Sequence, residues 1–179
     1  METYIAFLRG INVGGQKKIK MAELKACLEG GVIEELQTYI QSGNLVFKSG
    51  LADSALLANE IKDKIVDRYG FEVPVLVMTL GLLQAIHSNN PYSGTADGRQ
   101  LYFVLLAEAG APDRVKAFEQ MHFEHEEFEV TDHCVYLNCL AGYGKAKLSN
   151  NLVERKLGVA ATARNLKTIE KMIALAADP

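Results

Sequence analysis

The residues best suited to chemistry lie in a glycine- and lysine-bearing stretch near the start of the chain. It reads Arg9-Gly-Ile-Asn-Val-Gly-Gly-Gln-Lys-Lys-Ile-Lys20. Gly10, Gly14 and Gly15 let backbone N–H groups approach a ligand, while Lys17, Lys18 and Lys20 carry positive charge just before a predicted helix start. That chemistry suits a phosphate or carboxylate. The spacing GxxxGG matches neither the nucleoside-triphosphate P-loop nor the GxGxxG dinucleotide fingerprint. The plainer reading is a long turn whose glycines only permit positive φ and whose lysines are solvated.

Three further segments bear on the same chemistry. Tyr39-Ile-Gln-Ser-Gly-Asn44 offers Gln41, Ser42 and Asn44 at a predicted hairpin tip. Ala141 to Asn151 again combines glycines, an aromatic and lysines (Lys145, Lys147) before a helix start marked by Ser149 or Asn150, although a lysine-bearing connector explains it as well. Thr162 to Thr168 has Thr162 or Asn165 as a helix cap. Arg164 there is first a structural residue and second a bidentate anion ligand. The candidate ligand set is therefore Arg9, Asn12, Gly14, Gly15, Lys17, Lys20, Gln41, Ser42, Asn44, Lys145, Arg164 and Asn165.

Signals for catalysis and for metals are weak. His122, His125, His133 and Cys134 surround an acidic hairpin, but their spacing is not a usual zinc set, and surface histidines with core cysteines account for them. No GxSxG element occurs, and no general base stands beside the glycine-rich stretch, so whether the protein is an enzyme stays open. No metal site and no cofactor is expected. Glu126, Glu127 and Glu129 alternate with Phe128 and Val130, as in an edge strand that resists pairing with other chains.

The elements that must position these residues follow from periodicity. Thr3 to Arg9 is a buried strand, Met21, Leu24 and Leu28 mark a helix, and Leu36–Gln41 with Asn44–Lys48 form a hairpin. Leu57, Ile61, Ile65 and Tyr69 step along a second helix between Asp53 as N-cap and Gly70. Val73 to Met78 is a strand, and Thr79 to Ile86 a short helix. The order βαββαβ is that of the ferredoxin-like motif. After a polar, turn-rich stretch, the second half offers Gln100–Ala107 as a strand, Pro112–Met121 as a helix, and Glu124–Val130 with His133–Cys139 as a hairpin. Leu148–Leu157 and Asn165–Ala176 are its closing helices. The expected fold is α+β: a ferredoxin-like half over residues 1–88, a linker over 89–99, and a second, incomplete βαββα half with two C-terminal helices over 100–179.

Topology makes one functional prediction. In a right-handed βαβ crossover the first two strands end at the same edge of the sheet, so the glycine-rich loop and the hairpin tip must be neighbours.

Composition sets the broader limits. The chain has 179 residues, 49% apolar and 23% charged, with a net charge of -3. That supports a packed core and excludes disorder. The longest apolar run, Leu101 to Ala107, is far short of the ~20 residues a membrane helix needs. Three cysteines without a CxxC pair argue against a disulfide framework, and a cytoplasmic location is expected. Charge is unevenly spread. Residues 1–25 carry five bases and two acids, residues 140–171 seven bases and two acids, and residues 108–133 eight acids and two bases.

The phrases YIAFLRGINVGGQKKIKMAELKACL, TYIQSGNLVF and KLGVAATARNLKTIEKM, in that order, resemble the bacterial family known as domain of unknown function 1697. The resemblance implies a soluble bacterial protein with a two-part α+β fold built on ferredoxin-like halves. It implies no reaction. Leu166 stands where the family often has an aromatic residue, so the resemblance supports no stacking role there. The leading expectation is binding of a small phosphate- or carboxylate-bearing ligand at the loop and hairpin tip. The alternatives are nucleic-acid binding on a ferredoxin-like sheet, disfavoured by net acidity and by Phe47 as the sole aromatic of the third strand, and a protein-interaction module using the second half's hairpin. No membrane partner is expected, and sequence leaves the oligomeric state open.

Overall fold

Tyr4-Ile-Ala-Phe-Leu8 is apolar at every position, so the strand it forms must be covered on both faces. It is the middle of β1 (Glu2–Leu8), which pairs antiparallel with β3 (Asn44–Ser49) on one side and β4 (Val75–Thr79) on the other. β2 (Glu34–Tyr39) lies outside β3, giving the order β2-β3-β1-β4. The structure is a computed structural model and describes residues 1–177. Its contacts divide the chain into Met1–Gln84 with the chain end from Lys171, and Ala85–Glu170.

In the first unit, α1 (Met21–Leu28) and α2 (Ser54–Tyr69) lie on one face of the sheet. Leu24, Leu28, Leu57 and Ile61 meet Tyr4, Leu8, Leu45 and Phe47 there. Ile5, Phe7, Val46 and Met78, on the opposite face, are buried as well. The ends of α2 are those its sequence dictates. Asp53 accepts hydrogen bonds from Ala55 and Leu56 N–H at 2.8 and 3.1 Å, and Gly70 closes the helix in the left-handed region. β4 passes directly into α3 (Leu80–Ser88), with Thr79 Oγ1 accepting from Leu82 N–H at 3.2 Å.

The second unit repeats this order. β5 (Leu101–Leu106) pairs with β7 (Cys134–Cys139) and β8 (Ala161–Asn165), and β6 (Glu126–Val130) lies outside β7, so the order is β6-β7-β5-β8. α4 (Pro112–Glu119) and α5 (Asn150–Leu157) cover the face bearing Val104, Leu106, Val135 and Leu137. β8 continues into α6 (Leu166–Ala177), where Asn165 Oδ1 accepts from Thr168 N–H at 2.8 Å.

β8 corrects the sequence expectation of an incomplete βαββα half. Ala161-Thr-Ala-Arg-Asn165 has no branched or aromatic run to announce a strand. Its extended form comes from pairing with β5, Leu106↔Ala161 through Tyr102↔Asn165, and from burial of Ala161 and Thr162. The chain thus forms two four-stranded antiparallel sheets and six α-helices among the described residues. Residues 89–99 lie within the second unit as hydrogen-bonded turns, for example Tyr92 N–H to Asn90 Oδ1 at 3.0 Å. No helix among the described residues is long and apolar enough to cross a membrane.

Candidate functional site

Loop and hairpin tip touch where Gly43 leaves no room for a side chain. A Cβ on Gly43 would stand 2.7 Å from Leu8 Cβ and 2.8 Å from Ile11 Cδ1, and its φ is +79°. Leu8 N–H donates to Gly43 C=O at 2.8 Å. Asn12 makes the second tie. Its Nδ2 donates to Gln41 C=O at 2.8 Å and to Ile19 C=O at 2.9 Å, while its Oδ1 accepts from Ile19 N–H at 2.8 Å. One half-buried amide therefore closes the loop on itself and fastens it to the hairpin. The backbone at Asn12, φ 56°, adopts the left-handed region that Asn tolerates best among residues with a side chain.

Other candidates are committed to the same scaffold. Asn44, wholly buried, donates through Nδ2 to Tyr39 C=O at 2.9 Å and to Ser42 Oγ at 3.0 Å, which shapes the tip. Lys17 Nζ donates to Glu72 C=O at 2.7 Å and lies 6.0 Å from the Phe71 ring centroid, strapping the loop to the entry of β4. Lys20 precedes α1 and pairs with Glu23 at 3.1 Å, a surface contact of little energetic weight. Arg9 donates its N–H to Pro74 C=O at 3.0 Å.

Gly14 and Gly15 are the outermost part of the loop. They form the centre of a tight turn, Gln16 N–H donating to Val13 C=O at 3.0 Å, with φ +58° and +75°. Both positive values suit a type I′ turn, which glycine adopts most easily. Open space surrounds both, and their N–H groups meet no acceptor among the described residues. Lys18 is exposed beside them.

In the second unit the candidates gather at the edge where β5 begins and β8 ends. Arg164 lies opposite Phe103 and Asn165 opposite Tyr102. The Arg164 guanidinium donates to Ala163 C=O at 2.9 Å, and loss of solvent pushes its pKa down to about 10, an effect that nearby Tyr143 opposes. The arginine is still charged at neutral pH. Tyr143 stacks on Tyr102 with ring centroids 4.3 Å apart, and Lys145 ends the same 3-10 turn in an exposed position. Asn165 spends its carbonyl on capping α6 and lines a hollow of about 390 Å³ with Asp97, Arg99 and Lys167. Cys134 and Cys139 are buried, which pushes both thiols up, Cys139 to about 11, so neither offers a thiolate at neutral pH.

The family model described as Protein of unknown function (DUF1697) matches residues 1–136, three quarters of the chain and all of the loop and hairpin tip. The chain belongs to that family. A solved structure, that of the conserved bacterial protein SP0830 from Streptococcus pneumoniae, is similar over 99% of each chain, with 25% identity and a TM-score of 0.77. No curated protein matches. Neither the family description nor the structure names a ligand or a reaction.

Gly43 and the Phe71–Glu72 anchor are absent from the sequence-based set. Gly43 carried a signal, being the glycine of a short hairpin. The Lys17 anchor carried none, because it joins segments far apart in the chain.

Proposed function

We propose that this member of the family binds a small anionic ligand, phosphate- or carboxylate-bearing, at the outer turn of the glycine-rich loop. The observation that carries the reading is the division of labour within the loop. Asn12, Lys17 and Gly43 hold it in one shape, and that shape leaves the Gly14 and Gly15 amides and Lys18 facing solvent. Arg9, Gln41 and Ser42 complete the surroundings, with Lys20 at the start of α1 adding charge beside the helix N-terminus. Asn12, Lys17 and Asn44 are positioning residues in this account. Lys145, Arg164 and Asn165 belong to the second unit.

The strand orders β2-β3-β1-β4 and β6-β7-β5-β8 support a ferredoxin-like reading of each half. Such sheets bind RNA by stacking bases on an open face. Ile5, Phe7, Val46 and Met78 on that face of the first sheet are all buried, which favours the small ligand over the nucleic acid.

Thermal shift and isothermal titration against inorganic phosphate, nucleotides, sugar phosphates and dicarboxylates test the reading. A stabilised melting transition with at least one anion is expected, and Lys18→Ala with Gly14→Ala should weaken it. A flat response across the panel defeats the proposal.

A further inference from the structure

β6 is one of the two outer strands of its sheet, and a hollow of about 540 Å³ follows its free side. Every residue from Glu126 to Val130 lines it, with Tyr92 and the Met121–Phe123 segment as walls. Successive strand residues point to opposite faces, so a hollow that takes in all of them straddles the edge itself. The register shows which backbone groups meet it. Thr131 N–H donates to Cys134 C=O at 2.8 Å and Leu140 N–H to His125 C=O at 3.0 Å, so the odd-numbered positions bond to β7. The N–H and C=O groups of Phe128 and Val130 accordingly point the other way, toward the hollow. Glu126 N–H is taken by Phe123 C=O at 3.4 Å.

The two sides of this edge differ in chemistry. Phe128 and Val130 share the face that packs on the helical core, beside Met121 and Phe123. Glu127 and Glu129 occupy the other face and are exposed. They act on Tyr92, whose hydroxyl pKa is pushed up to about 12, by burial first and by these two carboxylates next. One Glu127 oxygen accepts from Asn138 Nδ2 at 2.7 Å, which fixes that carboxylate in place. Among the lining residues only His122 can carry positive charge.

We propose that the β6 edge accepts an added strand from a partner protein in which basic and apolar residues alternate. The backbone of that strand would bond to Phe128 and Val130. Its apolar side chains would lie beside Met121 and Phe123, and its Lys or Arg side chains beside Glu127 and Glu129. A second copy of this chain is a poor occupant, because two β6 edges would set these glutamates against their own counterparts, and like charges directly opposite destabilise a sheet. The charges that bar self-pairing thus select the partner. β2, the corresponding outer strand of the first sheet, lacks this readiness. β2 changes register between Glu34 and Gln37, with Glu35 at φ 52°, and such an irregularity blunts an edge.

The test titrates the full chain, at low salt, with two labelled hexapeptides, Val-Lys-Val-Lys-Val-Lys and Val-Glu-Val-Glu-Val-Glu, followed by fluorescence anisotropy. The lysine peptide should bind at least about tenfold tighter and weaken as salt rises. The same peptide methylated on alternate backbone nitrogens should lose binding, since it can no longer complete the ladder. The double variant Glu127→Lys, Glu129→Lys should reverse the preference. Glu129→Lys alone, at an exposed carboxylate, should reduce it. Equal binding of the two hexapeptides, no binding of the lysine peptide, or unchanged binding after methylation overturns the proposal.

Discussion

The two halves follow the same element order and the same strand order but lengthen different connections. Between β1 and α1 the first half runs from Arg9 to Lys20, where the second needs only residues 107–111 between β5 and α4. Between β7 and α5 the second half inserts residues 140–149, where the first spans β3 to α2 with residues 50–53. The joints shared by both are closely matched. Leu8 N–H reaches Gly43 C=O as Leu106 N–H reaches His133 C=O, and Arg9 N–H reaches Pro74 C=O as Ala107 N–H reaches Ala160 C=O. The glycine-rich loop is therefore not demanded by the architecture, since the second half closes the same sheet without one. A long connection that is nonetheless pinned at both ends is where function is best sought.

The sharpest way to break this comparison is at two glycines with similar backbone. Gly43→Ala should cost about 2–4 kcal/mol, combining the left-handed penalty with a clash against Leu8 Cβ and Ile11. Gly158→Ala, at φ +75° in the second half, should cost only about 1 kcal/mol, because the nearest atoms are the far end of the flexible Arg114 side chain, whose bonds to the Arg155 and Lys156 carbonyls are long at 3.4 Å. Urea denaturation measures both. Equal losses would show that the loop and hairpin tip are not packed as tightly as described.

Asn12→Ala should destabilise by about 1–3 kcal/mol, since it leaves Ile19 N–H without its acceptor and Gln41 C=O without its donor. Faster hydrogen exchange at the Ile19 amide, with β5–β8 amides unaffected, would localise the change to the first half. The second helix of each half gives a smaller and more even contrast. Asp53→Ala and Ser149→Ala should each cost about 1 kcal/mol, Asp53 slightly more because it accepts two bonds where Ser149 accepts one at 3.3 Å. Thermal melts of the two variants test that ordering.

The smallest expected effect has no counterpart in the first half. Asp97 bonds to Arg99 through side chain and backbone, which holds its pKa down at about 2 from an ordinary 3.8. A depressed carboxylate contributes stability that is present above its unfolded value and lost as pH falls through its folded one. Acid should therefore erode this contribution between pH 3.8 and about 2, and Asp97→Asn should remove that part of the pH dependence. The pair is exposed to solvent, so the effect is slight. A carbon-detected NMR titration of the Asp97 carboxyl reads the shift directly.

The limits of α2 were legible from Asp53 and Gly70, and the meeting of loop and hairpin tip from chain order alone. Local rules suffice for the first, because a cap and a left-handed glycine act within one helical turn. The parallel sense of the two strands that a βαβ crossover joins suffices for the second, since both then end at one edge. β8 was not legible, because Ala161 and Ala163 favour a helix by type and become a strand only through β5. The roles within the loop were not legible either. Asn12 and Lys17 read as ligand groups because amides and ammonium groups bind anions, but their partners are carbonyls of Gln41 and Glu72.

By itself the sequence determined the periodicities, the caps, the glycines able to take positive φ and the uneven distribution of charge, because each depends on residues close together in the chain. Tertiary structure decided that Ala161–Asn165 is a strand, that Asn12 and Lys17 hold rather than greet, and that β6 leaves Phe128 and Val130 with outward-facing backbone. Each of those outcomes depends on which distant backbone group supplies a hydrogen-bond partner, and only the folded chain brings such groups within reach.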